Sequence, residues 1–261
     1  MDLGLKGKIA LVSGGTHGIG QAIALKLASE GCRVAVFSRT QARVDETLEL
    51  FAKAGVEVMG MVADVMIKDD LKRVVDAVMA RWQTIHILVN NVGGGGRWGK
   101  DDVLATDDNV WQEVYDKNTV AAIRMTMAVL PLMRQQKWGR VVTITSIFGR
   151  EAGGRPWFTM AKAAQGALMK TLAKKSSLAQ DGITFNSVAP GAIMIPHTGW
   201  EKTAQENPQE LEDFIRRQLP LGRFGTPDEV ANVVAFICSQ QAALLNGASI
   251  PVDGGQSNSL F

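Results

Sequence analysis

The sequence predicts an α/β fold, a Rossmann-like doubly wound parallel sheet of about seven strands with helices on both faces. Three observations predict it. Short apolar runs alternate with helical patterns along the 261 residues, as they do where strand–helix–strand units build a parallel sheet. The runs are almost continuous in Val, Ile and Ala, the composition of strands buried on both faces. A glycine cluster stands at the junction between the first run and the first helical pattern.

The predicted strands cover 9–13, 33–38, 56–62, 85–90, 140–145, 184–189 and 248–252. The clearest helical patterns cover 19–29, 42–54, 71–82, 120–135 and 161–178. Crossovers between parallel strands are right-handed, and ligands of such sheets sit outside the carboxyl ends of the strands. Function is therefore to be sought in the loops that follow the strands. No Pro/Ser-rich linker, charge run or internal repeat divides the chain. Single α/β domains reach ~250 residues, so one domain over 1–261 is expected.

Composition excludes several classes. The net charge is +2, with 46% hydrophobic and 21% charged residues. That gives no electrostatic case for nucleic acid or an anionic membrane. Lys6 and Lys8 near the N-terminus precede no signal-peptide core. The most apolar helical stretch, 120–133, is interrupted by Arg124 and Pro131 and is too short to span a bilayer. Cys32 and Cys238 lie in apolar segments and read as buried free thiols of a reducing compartment. A soluble, cytoplasmic protein is expected. His17, His86 and His197 are too scattered to hold a metal, and none is expected.

The first strand ends in Ser13-Gly14-Gly15-Thr16-His17-Gly18-Ile19-Gly20. Gly14 permits a tight turn, Gly18 lets a diphosphate approach the backbone, and Gly20 lets helix pack closely on strand. The helix N-terminus adds free N–H groups and a positive dipole end. Gly14, Thr16, His17, Gly18, Ile19 and Gly20 are thus candidates to bind a nucleotide cofactor. The second strand ends Phe37-Ser38-Arg39, with no acid. A carboxylate there would bond the ribose 2′-OH of NAD. Arg39, next to Ser38, would instead pair with a 2′-phosphate. NADP(H) is the expected cofactor, and NAD(H) the less favoured one.

The Gly-x-x-x-Gly-x-Gly spacing, preceded by Ser13, resembles the Thr-Gly-x-x-x-Gly-x-Gly motif of the short-chain dehydrogenase/reductase family. Further motifs follow in the family's order: Asp64-Val65, Asn90-Asn91-Val92-Gly93, Asn118, Ser146, Lys162, Pro190-Gly191 and Val252-Asp253-Gly254-Gly255. The likeness covers essentially the whole chain and is to the 3-oxoacyl-(acyl-carrier-protein) reductase kind. It implies that Asp64 and Val65 meet adenine and that Asn91, Lys162, Pro190, Gly191 and Ile193 lie along the cofactor. It implies a catalytic group of Asn118, Ser146, Lys162 and a tyrosine. It also implies a lid-like insertion over about 193–220 and a homotetramer pairing the helices near 120–135 and 160–178. The implied activity is hydride transfer between NADP(H) and a secondary alcohol or ketone.

The family's tyrosine gives a proton to the carbonyl oxygen, and the lysine four residues on lowers its pKa from ~10. A helix puts the two on one face. Here the segment reads Phe158-Thr159-Met160-Ala161-Lys162, and Phe158 has no proton to give. Tyr115, the only tyrosine, reads as a helix-face aromatic. Three explanations stand open: a laboratory Tyr→Phe change, a natural variant in which another group protonates the substrate, or a catalytically inactive NADP(H)-binding sensor or scaffold. Val92 in place of Ala and Ile195 in place of Thr favour natural divergence. Phe148, two residues past Ser146, is a second place where a hydroxyl would serve.

No Gly-x-Ser-x-Gly elbow surrounds Ser146, which argues against a hydrolase. Substrate clues are few. The glycine run 93–96 leads into Arg97 and Trp98, and Arg150, Gly153, Gly154, Arg155 and Trp157 follow the fifth strand. His197 and Trp200 open the insertion. Cations at a cleft mouth hint at an anionic or polyhydroxylated substrate; solvated loop charges are the competing reading.

Overall fold

Seven parallel strands form one sheet in the order β3-β2-β1-β4-β5-β6-β7 in the computed structural model, which describes residues 1–96, 98–100 and 102–260. The strands are β1 (Ile9–Ser13), β2 (Arg33–Ser38), β3 (Val58–Val62), β4 (Ile87–Asn90), β5 (Gly139–Ile144), β6 (Ile183–Pro190) and β7 (Ser249–Val252). Every residue of β1, β4, β5 and β6 is buried, which is why these strands lack polar alternation. Edge strand β7 carries Pro251, tolerated where one side of the strand has no ladder partner.

Helices cover both faces. Helices α1 (Gly18–Ser29), α2 (Gln41–Lys53) and α10 (Pro227–Cys238) pack on one side, around Ile23, Leu27, Phe51, Val230 and Val234. Helices α3 (Lys68–Trp82), α5 (Ala121–Gln135) and α6 (Pro156–Ala173) pack on the other, around Leu71, Val74, Met125 and Met169. The predicted doubly wound, Rossmann-like class is the observed one. Strand order reverses between β1 and β4, so a crevice opens at their carboxyl ends.

Some boundaries differ from the sequence reading. β3 and β4 each begin two residues later than predicted. α6 begins at Pro156, not 161, because proline is preorganised for the first helical position. It ends at Ala173, and a short α7 (Ser176–Ala179) follows. Four helices were not anticipated: α4 (Asp108–Tyr115), α8 (Gly199–Glu206), α9 (Pro208–Gln218) and α10. The last had a readable start. Thr226 and Glu229 form a reciprocal capping box around Pro227.

A π-helical turn, Asp116–Val120, joins α4 to α5 and carries Asn118 into the interior. Such single turns interrupt an α-helix mostly at functional sites. Both cysteines are buried free thiols, and burial pushes the Cys32 thiol up to about 12. Among the described residues, no helix is long and apolar enough to cross a membrane.

Candidate functional site

A cleft of about 430 Å³ opens at the carboxyl ends of β1, β2 and β4. Of the predicted nucleotide residues, Gly14, Thr16 and His17 line it from the glycine turn, and Ser38 and Arg39 from the end of β2. Asp64, Val65 and Asn91 complete the predicted set on its wall. Gly18, Ile19 and Gly20 form the start of α1 directly behind.

Each glycine of the turn has a local reason. Gly14 and Gly18 adopt φ values of +62° and +55°, which residues with a Cβ rarely hold. A Cβ on Gly20 would collide with the Asn91 side-chain nitrogen and the Gly14 carbonyl oxygen. Gly15, which had no expected role, has a similar limit: a Cβ would lie 2.5 Å from Val36.

Ser13 and Asn91 hold the crevice in shape. The Ser13 hydroxyl accepts hydrogen bonds from the Asn91 and Val92 backbone N–H groups at 2.9 and 3.1 Å and donates to the Val89 carbonyl at 3.3 Å. Asn91 Nδ2 donates to the Ser13 and Gly14 carbonyls at 3.0 and 3.2 Å. The ends of β1 and β4 are thereby tied across the switch point. His17 stands at the N-cap of α1, its Nε2 buried and, among the described residues, without a hydrogen-bond partner. Its pKa is lowered by burial first and then by the charge of Arg43.

The electrostatics of the cleft include two cations the sequence reading missed. Arg43 and Lys117 line it together with Arg39. The Lys117 pKa is lowered by burial and then by the positive charge of Arg39. No carboxylate forms an ion pair with Arg39, Arg43 or Lys117 among the described residues. Asp64 and Glu113 are the acids on the cleft wall. Asp64 is held locally, since its Oδ1 accepts from Met66 N–H at 2.9 Å. Arg43 lies four residues past Arg39, in the first turn of α2, a spacing the sequence showed. Lys117 becomes a cleft residue only through the π-turn.

The polar groups implied by the catalytic resemblance lie where β4, β5, the π-turn and α6 meet. Asn118 is fully buried; its Nδ2 donates to the Gly94 and Val114 carbonyls at 2.9 and 2.8 Å, and its Oδ1 accepts from Gly94 N–H at 3.2 Å. Ser146 follows β5, and its hydroxyl accepts from Phe148 N–H at 3.2 Å. Lys162 is buried, with its ammonium donating to the Ile144 carbonyl at 2.9 Å. Burial alone lowers its pKa to about 7. The Phe158 ring centroid is 5.7 Å from Lys162 Nζ. Gln165 was not singled out by sequence; it is fully buried and donates to the Asn118 carbonyl at 2.8 Å.

Other expectations land elsewhere. Pro190, Gly191 and Ile193 lie at the ends of β6 and β7, off the main cleft. Ile193 packs into the core beside a separate cavity of about 70 Å³. Ile195 packs over Gly18. The Phe148 ring lies against Gly153 and Gly154. Tyr115 packs with Val114, Trp157 and Ala161 and lines an outer groove with Met160.

The cations suggested for a substrate have other tasks. Arg150 donates to the Ser249 carbonyl at 2.6 Å. Arg155 donates to the Trp98 carbonyl at 2.7 Å and to the Gly99 carbonyl. His197 is exposed, 3.7 Å from Glu201. Arg97 lies outside the described residues.

Comparison with known proteins follows the same lines. The family model described as Enoyl-(Acyl carrier protein) reductase matches residues 14–257. The chain is 35% identical to a 3-oxoacyl-(acyl-carrier-protein) reductase of Aquifex aeolicus, over 98% of this chain and 99% of that one. It resembles the L-sorbose reductase of Gluconobacter frateurii, solved with NADPH and L-sorbose, with a TM-score of 0.91 and 31% identity over all of both chains. It also resembles a 7α-hydroxysteroid dehydrogenase solved with NADH and 7-oxo glycochenodeoxycholic acid. There the TM-score is 0.87 and the identity 26%, over 100% of this chain and 98% of that one.

Proposed function

The chain belongs to the short-chain dehydrogenase/reductase family, and on that premise we propose that it moves a hydride between NADP(H) and a secondary alcohol/ketone pair. The observation that carries the reading is the cleft at the β1/β4 switch point. Its glycine turn leaves no room for side chains at Gly14 and Gly20, and the dipole end of α1 suits a diphosphate. Such a site fits a nicotinamide dinucleotide. Gly14, Thr16, His17, Gly18, Ile19 and Gly20 would hold the diphosphate. Asp64 and Val65 would meet adenine, and Asn91, Pro190, Gly191 and Ile193 the nicotinamide half. The bound nicotinamide supplies or accepts the hydride.

Choice between the two nicotinamide cofactors rests on charge. Arg39, Arg43 and Lys117 line the cleft, and among the described residues none forms an ion pair with a carboxylate, although Asp64 and Glu113 on the same wall offset the charge of Lys117 in part. Three cations favour a 2′-phosphate, by charge-assisted bonds that a 2′-hydroxyl does not make.

At the reacting end, Ser146 would bind the carbonyl oxygen and Lys162 the ribose. Asn118 would organise a relay water, its position fixed by the bond its carbonyl accepts from Gln165. Phe158 stands in the proton donor's place as an apolar wall. Residues 193–220, which form α8 and α9, would be the lid. Exposed Met127 on α5 and Met160 on α6 suit the tetramer that family resemblance implies.

A second reading rests on Phe158 specifically: a catalytically inactive NADP(H)-binding sensor or scaffold. Steady-state NADPH oxidation against a panel of ketones separates the two, run on this chain and on Phe158→Tyr and Phe148→Tyr. The oxidoreductase reading expects turnover by this chain and a gain of ~10²-fold in one variant, the scale of a restored general acid. Tight NADPH binding without turnover in all three selects the sensor.

A further inference from the structure

Lys162 is the one buried ammonium at the reacting end of the cleft, and its surroundings are unusual for a charged group. It has three N–H donors, yet among the described residues a single acceptor, the Ile144 carbonyl, bonds it. No carboxylate pairs with it among the described residues. A buried charge so poorly compensated is costly. The apolar ring of Phe158 stands beside it, where a tyrosine would offer a hydroxyl.

The amine is separated from the cleft by little more than backbone. Gly93 lines the cleft. A Cβ on Gly93 would lie 2.8 Å from Lys162 Nζ and 2.7 Å from Asn118 Oδ1. The missing side chain at Gly93 is what brings the amine to the cleft wall. Asn118 Oδ1, which borders the same point, is already engaged by Gly94 N–H.

Resting on the oxidoreductase reading above, we propose that the Lys162 ammonium is itself the proton donor to the substrate carbonyl oxygen. In reduction, the carbonyl carbon gains a hydride, with its electron pair, from the reduced nicotinamide. The carbonyl oxygen takes a proton from Lys162, which is left as a neutral amine. Solvent returns that proton after the alcohol leaves. In oxidation the neutral amine removes the alcohol proton as the hydride departs. The near-neutral pKa that burial gives Lys162 makes both forms available at physiological pH.

Other titratable groups do not account for this environment. The elements packed on α6 bring Asp108, Glu113 and Tyr115 from α4, Asp116 and Lys117 from the π-turn, and Arg140 from β5. Asp116 accepts from Gln112 at 2.8 Å, and Arg140 donates to the Gly139 and Gly182 carbonyls at 2.8 and 3.1 Å. Lys117 lies over the Trp98 ring. Beyond Ser146, Arg150 bonds Ser249 and Glu151 accepts from Ser257 and Asn258. None contributes to the Lys162 shift, for which burial is the only cause.

Two measurements test the proposal. The first needs no turnover. Lysine ¹³Cε chemical shifts are titrated in the apo protein, with Lys162 assigned by its loss in Lys162→Met. A midpoint near 7 is expected; one near the ordinary ~10.4 overturns the proposal. The second is the pH profile of kcat/KM for a ketone that this chain reduces with NADPH. The rate should be level below the NMR midpoint and fall ~10-fold per pH unit above it. Lys162→Met should lose ~10²–10⁴-fold. Ketone reduction whose rate ignores pH across the Lys162 titration overturns the proposal and leaves the oxidoreductase reading intact. Absence of reduction of any ketone overturns both.

Discussion

An ammonium with one hydrogen bond and no carboxylate destabilises the fold that buries it, and pH exposes that cost. Burial lowers the Lys162 pKa from 10.5 to about 7. Between those values the unfolded chain holds the extra proton, so this group makes stability rise with pH across that window. Its full cost applies below about pH 7 and vanishes above the unfolded value. At ~1.4 kcal/mol per pH unit the cost is at most ~5 kcal/mol. Lys162→Met should therefore be more stable than the parent at about pH 6. The gain is reduced by loss of the bond to Ile144, and it should shrink towards about pH 9. Urea unfolding of both chains at the two pH values measures this. A variant less stable than the parent at both would mean that the ammonium is well solvated in the fold. Sequence named Asn118, Ser146, Phe158 and Lys162 for this site, and the fold places Phe158 and Asn118 beside Lys162, with Ser146 just past the end of β5. Gln165 and Lys117 were not legible in sequence, because a buried amide and a half-buried lysine leave no pattern until the π-turn rotates their neighbours into place.

Elements constrain the cleft through close approach more than through side-chain chemistry. α1 can deliver its N-terminus to the crevice only because Gly20 lies against the Gly14 carbonyl and Asn91. A methyl group at Gly20 meets backbone, which cannot move aside as a flexible side chain can. Gly20→Ala should cost ~1–3 kcal/mol, the range for overpacking, and weaken NADPH binding as α1 is displaced. Gly166 is the control. It is half-buried inside α6 with nothing within 4 Å of a would-be Cβ. Gly166→Ala should stabilise by ~0.5–1 kcal/mol, the helix preference of alanine over glycine, and leave nucleotide binding unchanged. Thermal unfolding and a fluorescence titration with NADPH read both variants. The strands were legible because burial on both faces removes polar residues from them. Helix ends were less so. The proline that starts α6 looks like a breaker until it is placed at the first position. The amphipathic helices α8 and α9 bury no residue completely, so their apolar stripe is weak.

At the scale of the whole molecule, the sheet brings together groups that are far apart in sequence. Arg39 follows β2, Arg43 lies in the first turn of α2 and Lys117 belongs to the π-turn after α4. Only Arg39 was expected as the 2′-phosphate partner; the first turn of α2 adds Arg43 and the π-turn adds Lys117. A ligand that binds only the folded state raises its stability by ~2.7 kcal/mol when present at a hundred times its Kd. For a chain near this size 1 kcal/mol moves Tm by ~2–4 °C, so saturating NADPH should raise Tm by ~5–10 °C. At equal concentration NADH should raise it less, because its 2′-hydroxyl brings no negative charge to the three cations. Arg39→Ala combined with Lys117→Ala should bring the two rises together by lowering that of NADPH. Protein concentration is held fixed, since an oligomer's Tm depends on it. This readout does not depend on Phe158 or on turnover, so it tests the nucleotide assignment apart from catalysis. Equal rises with both nucleotides in the parent chain would remove the 2′-phosphate role from the three cations. No rise with either would remove the dinucleotide from the cleft.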